Sequence, residues 1–394
     1  MRDSVLAVSS IVKKYGSNIS DFLIIGGGVI GMASALELAE AGHTVTLLER
    51  GWCGHEASWA GGGIVSPLYP WEQPDAISRL AIVSESMYPT FTERLVCATG
   101  VDPEYHIRGL LYLDPENPTR ACAWARRMKQ TLRVFDRDAF EGQEPSINTD
   151  TGGLSMPDLG SVRNPRLGRA LRQYLDQSPR VTLYEHLNVQ KLWLRDGHDV
   201  VVETSRGAYT GGFTVICAGA WTPRLCADLG VALPIRPVKG QMLLLRPQKL
   251  DDFPLLNRVV LHDSRYLIPR ADGRILVGST LEPEAGFDKQ PSIKARESLW
   301  HTAVAMLPAL ADYRIEHQWA GLRPGTPDGM PLIGAVPGIA RLYVNAGHHR
   351  SGLVMAPAAA QLLADILLRR DRIVDPEPFQ PVGASNSRYA GMTV

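Results

Sequence analysis

Three glycines, Gly26, Gly28 and Gly31, stand between an apolar run (Phe22 to Ile25) and a helical stretch reaching about Ala41. At that spacing each has a task in holding an anion. A residue without Cβ at 26 permits a tight turn, one at 28 lets backbone N–H groups reach a pyrophosphate, and one at 31 lets helix and strand pack closely. The helix N-terminus adds partial positive charge. Gly42 suits a left-handed helix cap, Thr44 to Leu48 reads as a second strand, and Glu49 at its carboxyl end can accept hydrogen bonds from ribose hydroxyls. The glycine pattern alone is a weak signal. With strand, helix, cap and acid in order it is a dinucleotide-binding βαβ unit, and the chain is expected to bind an adenine dinucleotide.

The 394 residues allow two or three domains and a large core. Lys plus Arg and Asp plus Glu number 41 each, so no global field attracts nucleic acid or an anionic membrane. Five cysteines (Cys53, Cys97, Cys122, Cys217, Cys226) include no CxxC pair and read as reduced thiols of a cytoplasmic protein. Phe22 to Leu36 is short and glycine-rich, and Leu353 to Leu368 is interrupted by Gln361 and Asp365, so neither reads as a transmembrane helix. The histidines offer no metal spacing, since His348 and His349 are adjacent and have no carboxylate cluster beside them.

No internal repeat appears. After the βαβ unit come a glycine-rich loop at 57–63, a mixed helical region, a strand at 109–113 and helices near 119–132 and 165–175. A meander follows over 189–194, 199–204 and 213–217. From Pro234 the strands 240–245, 259–261, 266–269 and 274–277 predict an antiparallel sheet, followed by a helix over 293–307. A second strand–loop–helix, with its strand at 342–346 and its helix ending near Arg370, brings the chain back to the nucleotide domain. The domains are therefore interleaved.

Taken in order, GGGVIG with Glu49, ASWAGGGI at 57–64, VICAGAW at 215–221, RPVKGQ at 236–241, YLIPR at 266–270, GLRPGTPDGMPLIG at 321–334 and NAGHHRSGLVMAP at 345–357 resemble the D-amino-acid oxidase superfamily. Within it they are most similar to the glycine oxidases of thiamine biosynthesis. The resemblance covers roughly residues 20–370. It implies an α/β fold in which a Rossmann-like FAD domain (21–90, 150–233 and 319–372) is interleaved with an antiparallel-sheet substrate domain (91–149 and 234–318). Residues 1–20 and 373–394 are left as flexible ends. FAD is expected to be non-covalent, because no cysteine follows Cys226 where a related branch attaches its flavin.

Residue by residue, the resemblance places Val29 and Ile30 against the pyrophosphate and Glu49 and Arg50 at the adenosine ribose. It places Ala57 and Gly61, Gly62 and Gly63 beside the isoalloxazine, Val189 at the adenine and Gly219 close to the cofactor. His348, His349, Arg350, Ser351, Gly352, Leu353 and Val354 would wrap the pyrimidine end, where Arg350 and the N-terminus of the final helix suit the negative charge of reduced flavin. Trp59 and Trp221 read as packing residues near the cofactor.

Arg323, between turn residues in Gly-Leu-Arg-Pro-Gly, falls where the resemblance implies the family's carboxylate-binding arginine: a planar guanidinium can grip a carboxylate with two parallel hydrogen bonds. Tyr266 would supply a second contact and Arg350 could join the same patch. No histidine is needed as base if the amine arrives neutral. The expected reaction is oxidative deamination of glycine or another small amine with dioxygen as acceptor, in a homotetramer. The rivals are a D-amino-acid dehydrogenase or oxidase of broader range, the flavin domain of a tRNA-modifying oxidase, and a non-catalytic flavoprotein. Retention of both Arg323 and Tyr266 argues against the last.

Overall fold

The computed structural model describes residues 19–141, 144, 146–150, 152–248 and 255–382. The first strand, Ile19–Ile25, begins inside the segment read as a flexible extension. It pairs in parallel with Gly207–Ile216 on one side and Val45–Leu48 on the other. Val181–Tyr184 extends the sheet beyond Val45–Leu48, and Leu342–Ala346 pairs in parallel with Gly207–Ile216. Leu332–Ala335 and the meander Val189–Arg195 and Asp199–Thr204 complete an eight-stranded sheet.

Parallel strands are buried on both faces. On one face the helices Val29–Glu40, Asp75–Thr99, Asn164–Gln177 and Gly352–Leu368 enclose a core that includes Met32, Leu36, Leu80, Leu171 and Leu362. Gly352–Leu368 packs on Val29–Glu40 and Asp75–Thr99, which accounts for its apolar length. No helix among the described residues is long and apolar enough to cross a membrane. On the other face Leu23, Ile25, Val202, Leu225 and Leu233 form a second core.

The second large sheet runs Arg314–Gly325, Arg236–Arg246, Ile275–Gly278, Arg265–Pro269, Val259–His262, Leu110–Leu113, Gly153–Met156 and Arg133–Phe135. It is antiparallel except where Val259–His262 meets Leu110–Leu113 in parallel. Helix Ile293–Met306 covers one face around Leu299, and Pro118–Met128 covers the other around Trp124.

Several expected edges shift. Asp75–Thr99 is one helix whose Phe91 and Leu95 pack in the nucleotide-domain core, so nothing divides at residue 91. Gly153–Met156 and the whole of Arg314–Gly325 belong to the second sheet, which moves the edges set at 150 and 319. Phe379, inside the tail expected to be flexible from 373, is buried in the core. Residues 1–18 and 383–394 lie outside the described residues.

Candidate active site

One continuous cavity runs from Trp52, Glu49 and Val189, past the glycine turn, to Gly61–Gly63, Tyr266, Arg323 and Arg350. Its first part is built by the glycines. Gly26 has φ +111°, and a Cβ there would meet the Cys217 carbonyl. A Cβ on Gly31 would collide with the carbonyl oxygen of Gly26, so turn and helix can close only on a bare Cα. Gly28 has only Ser58 Oγ near its absent side chain, which leaves its backbone open to the cavity. Among the described residues, no protein acceptor takes the N–H of Gly28 or Ile30.

Glu49 is fixed by its own backbone neighbours: Gly27 N–H donates to Oε2 and Gly51 N–H to Oε1, each at 2.8 Å. A carboxylate has about four acceptor positions, so two remain for hydroxyls. Arg50 lies over the Trp221 ring, 3.7 Å from its centroid, and pairs with Glu56 at 3.1 Å. Trp221 is therefore an arm for Arg50 rather than mere packing.

The far end of the cavity is made by the second sheet. Arg323 stands on the edge strand Arg314–Gly325, in register with Val238, and not in a turn as its glycine and proline neighbours imply. Pro324 faces Pro237 and turns its carbonyl outward to accept from His349 N–H at 2.9 Å, so the missing N–H costs no ladder bond. A Cβ on Gly240 would collide with the Arg323 guanidinium, which lies flat over that bare Cα. Nη2 donates to Ser279 Oγ at 2.6 Å and Nη1 to the Thr280 carbonyl at 3.2 Å. At least two of its five donors are thus used.

Tyr266 lies beside Arg323 on strand Arg265–Pro269, opposite Gly278, whose absent side chain makes room for the phenol. Its hydroxyl donates to the Met242 thioether, a weak acceptor, at 3.2 Å, and lies within hydrogen-bonding influence of the Arg323 guanidinium. Burial pulls the Arg323 guanidinium below its ordinary value, and the adjacent Tyr266 opposes that shift. Arg350 is lowered by burial first and by Arg323 second. No carboxylate lies within 4.0 Å of either arginine among the described residues. The cavity end is therefore electropositive and shaped for an anion.

His348 and His349 also line it. Burial lowers His348 to about 3; burial, then Arg323 and Arg350, lower His349 to about 4. Both imidazoles are neutral at physiological pH. The unfolded chain, at about 6.5, binds protons that the folded chain refuses, so stability falls as pH drops from 6.5 toward 4, by roughly 1.4 kcal/mol per pH unit per histidine. His349→Asn, which tolerates the φ of +46°, should show a smaller loss of urea midpoint between pH 7 and pH 5 than the wild type. Equal losses would mean that His349 titrates normally.

Of the residues expected at the cofactor, Gly26, Gly28, Val29, Ile30, Glu49, Arg50, Ala57, Gly61, Gly62, Gly63, Val189, Gly219, His348, His349, Arg350, Gly352 and Leu353 line the cavity. Gly31, Ser351 and Val354 do not: Gly31 backs the turn, Ser351 is buried at the helix start and Val354 points into the core. Sequence reasoning missed Ser58, which accepts the Val29 N–H at 2.9 Å, and Asn164, which donates to the Ser58 carbonyl at 2.8 Å. It also passed over Gly240 and Gly278. Their partners are distant in sequence and left no local signal.

The residues fit a flavin dinucleotide. Asn164 Oδ1, His348 Nε2 and His349 Nε2 are buried without partners, and all three residues line the cavity. Among the described residues, polar atoms left without a partner in side chains that line one cavity suit a polar ligand there.

A glycine-turn cradle opening onto a sheet-borne arginine defines a flavin-dependent oxidoreductase. The sequence profile of the FAD dependent oxidoreductase family matches residues 21–366, and the chain belongs to that family. It is 48% identical to a glycine oxidase of Pseudomonas aeruginosa over 92% of this chain and 98% of that one. It is 34% identical to the bifunctional protein ThiO/ThiG of Synechocystis over 91% of this chain but 52% of that larger protein. The crystal structure of glycine oxidase from Geobacillus kaustophilus superposes with a TM-score of 0.86 at 30% identity, covering 93% of this chain and 99% of that one. The expected α/β fold of the D-amino-acid oxidase type and the FAD cofactor are thereby met.

Proposed function

We propose that this chain oxidatively deaminates glycine and other small amines: glycine, dioxygen and water give glyoxylate, ammonia and hydrogen peroxide. The observation that carries the reading is Arg323, a half-buried guanidinium with spare donors and, among the described residues, no carboxylate within 4.0 Å, beside the hydroxyl of Tyr266. Its kinship to glycine oxidases supports the same reading.

Arg323 binds the substrate carboxylate through its free N–H groups, and Tyr266 turns its hydroxyl from sulfur to the same carboxylate. The two hold Cα at the Gly61–Gly63 wall, where small residues let a flat ring lie on backbone. FAD, when bound, would supply the two-electron redox chemistry that links the substrate to dioxygen. Arg350 and the start of helix Gly352–Leu368 favour negative charge at that end of the cavity. The neutral, weakly basic His348 and His349 are not assigned as bases, so the amine binds deprotonated. The protein contributes orientation and field, and the cofactor contributes the redox chemistry.

A place in the thiazole branch of thiamine biosynthesis, a cytoplasmic setting and a homotetramer complete the proposal. The five free thiols suit a reducing compartment. Peroxide release from a panel of glycine, sarcosine, D-alanine and L-alanine tests the reading. Activity on glycine and sarcosine is expected; activity confined to D-alanine would instead favour the broader D-amino-acid enzyme.

Glu49 is assigned to the ribose. Glu49→Ala should raise the FAD dissociation constant about ten-fold, the order expected from lost charged hydrogen bonds, with kcat at saturating FAD little changed. An unchanged dissociation constant would remove Glu49 from the cofactor site.

A further inference from the structure

Arg270 lies four residues after Tyr266, just beyond strand Arg265–Pro269, and reaches behind the Gly61–Gly63 wall rather than into the cavity. It is 8% exposed. Its Nη1 donates to the Val162 carbonyl at 2.9 Å and its Nη2 to the Gly62 carbonyl at 2.8 Å. Among the described residues no carboxylate lies within 4.0 Å of it, because the nearby acids serve other arginines. Glu104 pairs with Arg163 and Arg166, and Asp272 pairs with Arg163 and Arg274. Burial, then repulsion from Arg163, lowers Arg270 to about 10, so it stays charged at neutral pH.

A buried charge solvated by two carbonyls is expensive, and neutral donors could tie a loop to a sheet at lower cost. The charge therefore calls for a use. In a trans peptide the C=O and N–H point in opposite directions. The Gly62 carbonyl is drawn back to Arg270, so the Gly63 N–H of the same peptide faces the cavity side. The Gly63 carbonyl is also held back, accepting from Val162 N–H at 2.8 Å. Both hydrogen-bonded carbonyls polarise the peptides that carry them.

We propose that Arg270 is a positioning residue that raises the electron affinity of the bound flavin. It fixes the Gly62–Gly63 peptide with its N–H toward the ring and sets a positive charge, with no directly paired carboxylate among the described residues, behind that wall. The inference rests on the placement of the isoalloxazine at Gly61–Gly63.

The test uses FAD-loaded full-length wild type, Arg270→Gln and Arg270→Lys. Flavin content, Tm, the dissociation constant for sulfite (read by bleaching of the visible band) and the flavin midpoint potential are measured. Sulfite binds flavin more tightly where the protein favours negative charge on the ring. Arg270→Gln should weaken sulfite binding about ten-fold, shift the potential to more negative values, and lower kcat with little change in KM. Arg270→Lys keeps the charge but loses the planar fork that serves each carbonyl from its own nitrogen; it should fall between the two, at about three-fold. If Arg270→Gln does not fold, the lysine variant decides. Sulfite binding and potential within two-fold of wild type, with only Tm lowered, would reduce Arg270 to a structural tie and overturn the proposal. Sulfite binding needs no amine substrate, so a wild type that ignores glycine would overturn the activity reading while leaving the Arg270 result to be read separately.

Discussion

Arg323→Ala should lower kcat/KM for glycine by roughly 30-fold to several thousand-fold while FAD content stays at the wild-type level. Glycine has little besides its carboxylate to hold, and removing a desolvated charge-assisted partner typically costs about 2–5 kcal/mol. The loss is specific to substrate because Arg323 is carried by the second sheet and its hydrogen bonds go to Ser279 and Thr280, not to the glycine turn. Arg323→Lys should recover only part of the activity, since the charge survives and the planar two-point grip does not. Glycolate, a carboxylate without the amine, should bind the wild type and fail on the alanine variant. Near-normal kcat/KM in Arg323→Ala would place the substrate elsewhere in the cavity.

Gly31→Ala should be severely damaging to the nucleotide domain for a single methyl. The added Cβ would meet the Gly26 carbonyl oxygen, a backbone atom in the same turn, so helix Val29–Glu40 and the turn must separate. Overpacking of this kind costs about 1–3 kcal/mol, and here the displaced groups are those proposed to cradle the pyrophosphate. The variant is expected to purify largely without flavin and with a lowered Tm. Gly42→Ala is the control: φ is +96° but nothing lies within 4 Å of the added Cβ, so it carries only backbone strain. It should keep its flavin. Equal flavin retention in the two variants would mean that the turn adapts and that Gly31 is dispensable.

The glycine turn was legible because everything it needs is local: three glycines, an apolar strand, a cap and an acid lie within one βαβ unit. The second sheet was legible as strands but not as a site. Arg314–Gly325 was hidden by Gly321, Pro324 and Gly325, residues that mark turns unless an edge strand tolerates them. Here it does, because Pro324 opposes Pro237 where no ladder N–H is required. Gly240 beneath Arg323 and Gly278 beneath Tyr266 acquire meaning only once the register sets them against their partners. Phe379 was read with a Pro- and Ser-rich tail because its composition is that of disorder, yet its ring fills a core position. The cavity itself, assembled from segments as far apart as Gly26 and Leu353, is a tertiary fact.

Anaerobic mixing of FAD-loaded protein with glycine, followed at the visible flavin band, tests the central claim most directly because it removes dioxygen and peroxide from the question. The wild type should bleach on glycine, regain its colour on admitting air, and leave glyoxylate and ammonia in equal amounts. Arg323→Ala, with the same flavin content, should bleach far more slowly at the same glycine concentration. A wild-type flavin that stays oxidised under saturating glycine, sarcosine and D-alanine would contradict the assignment of this cavity to small amines.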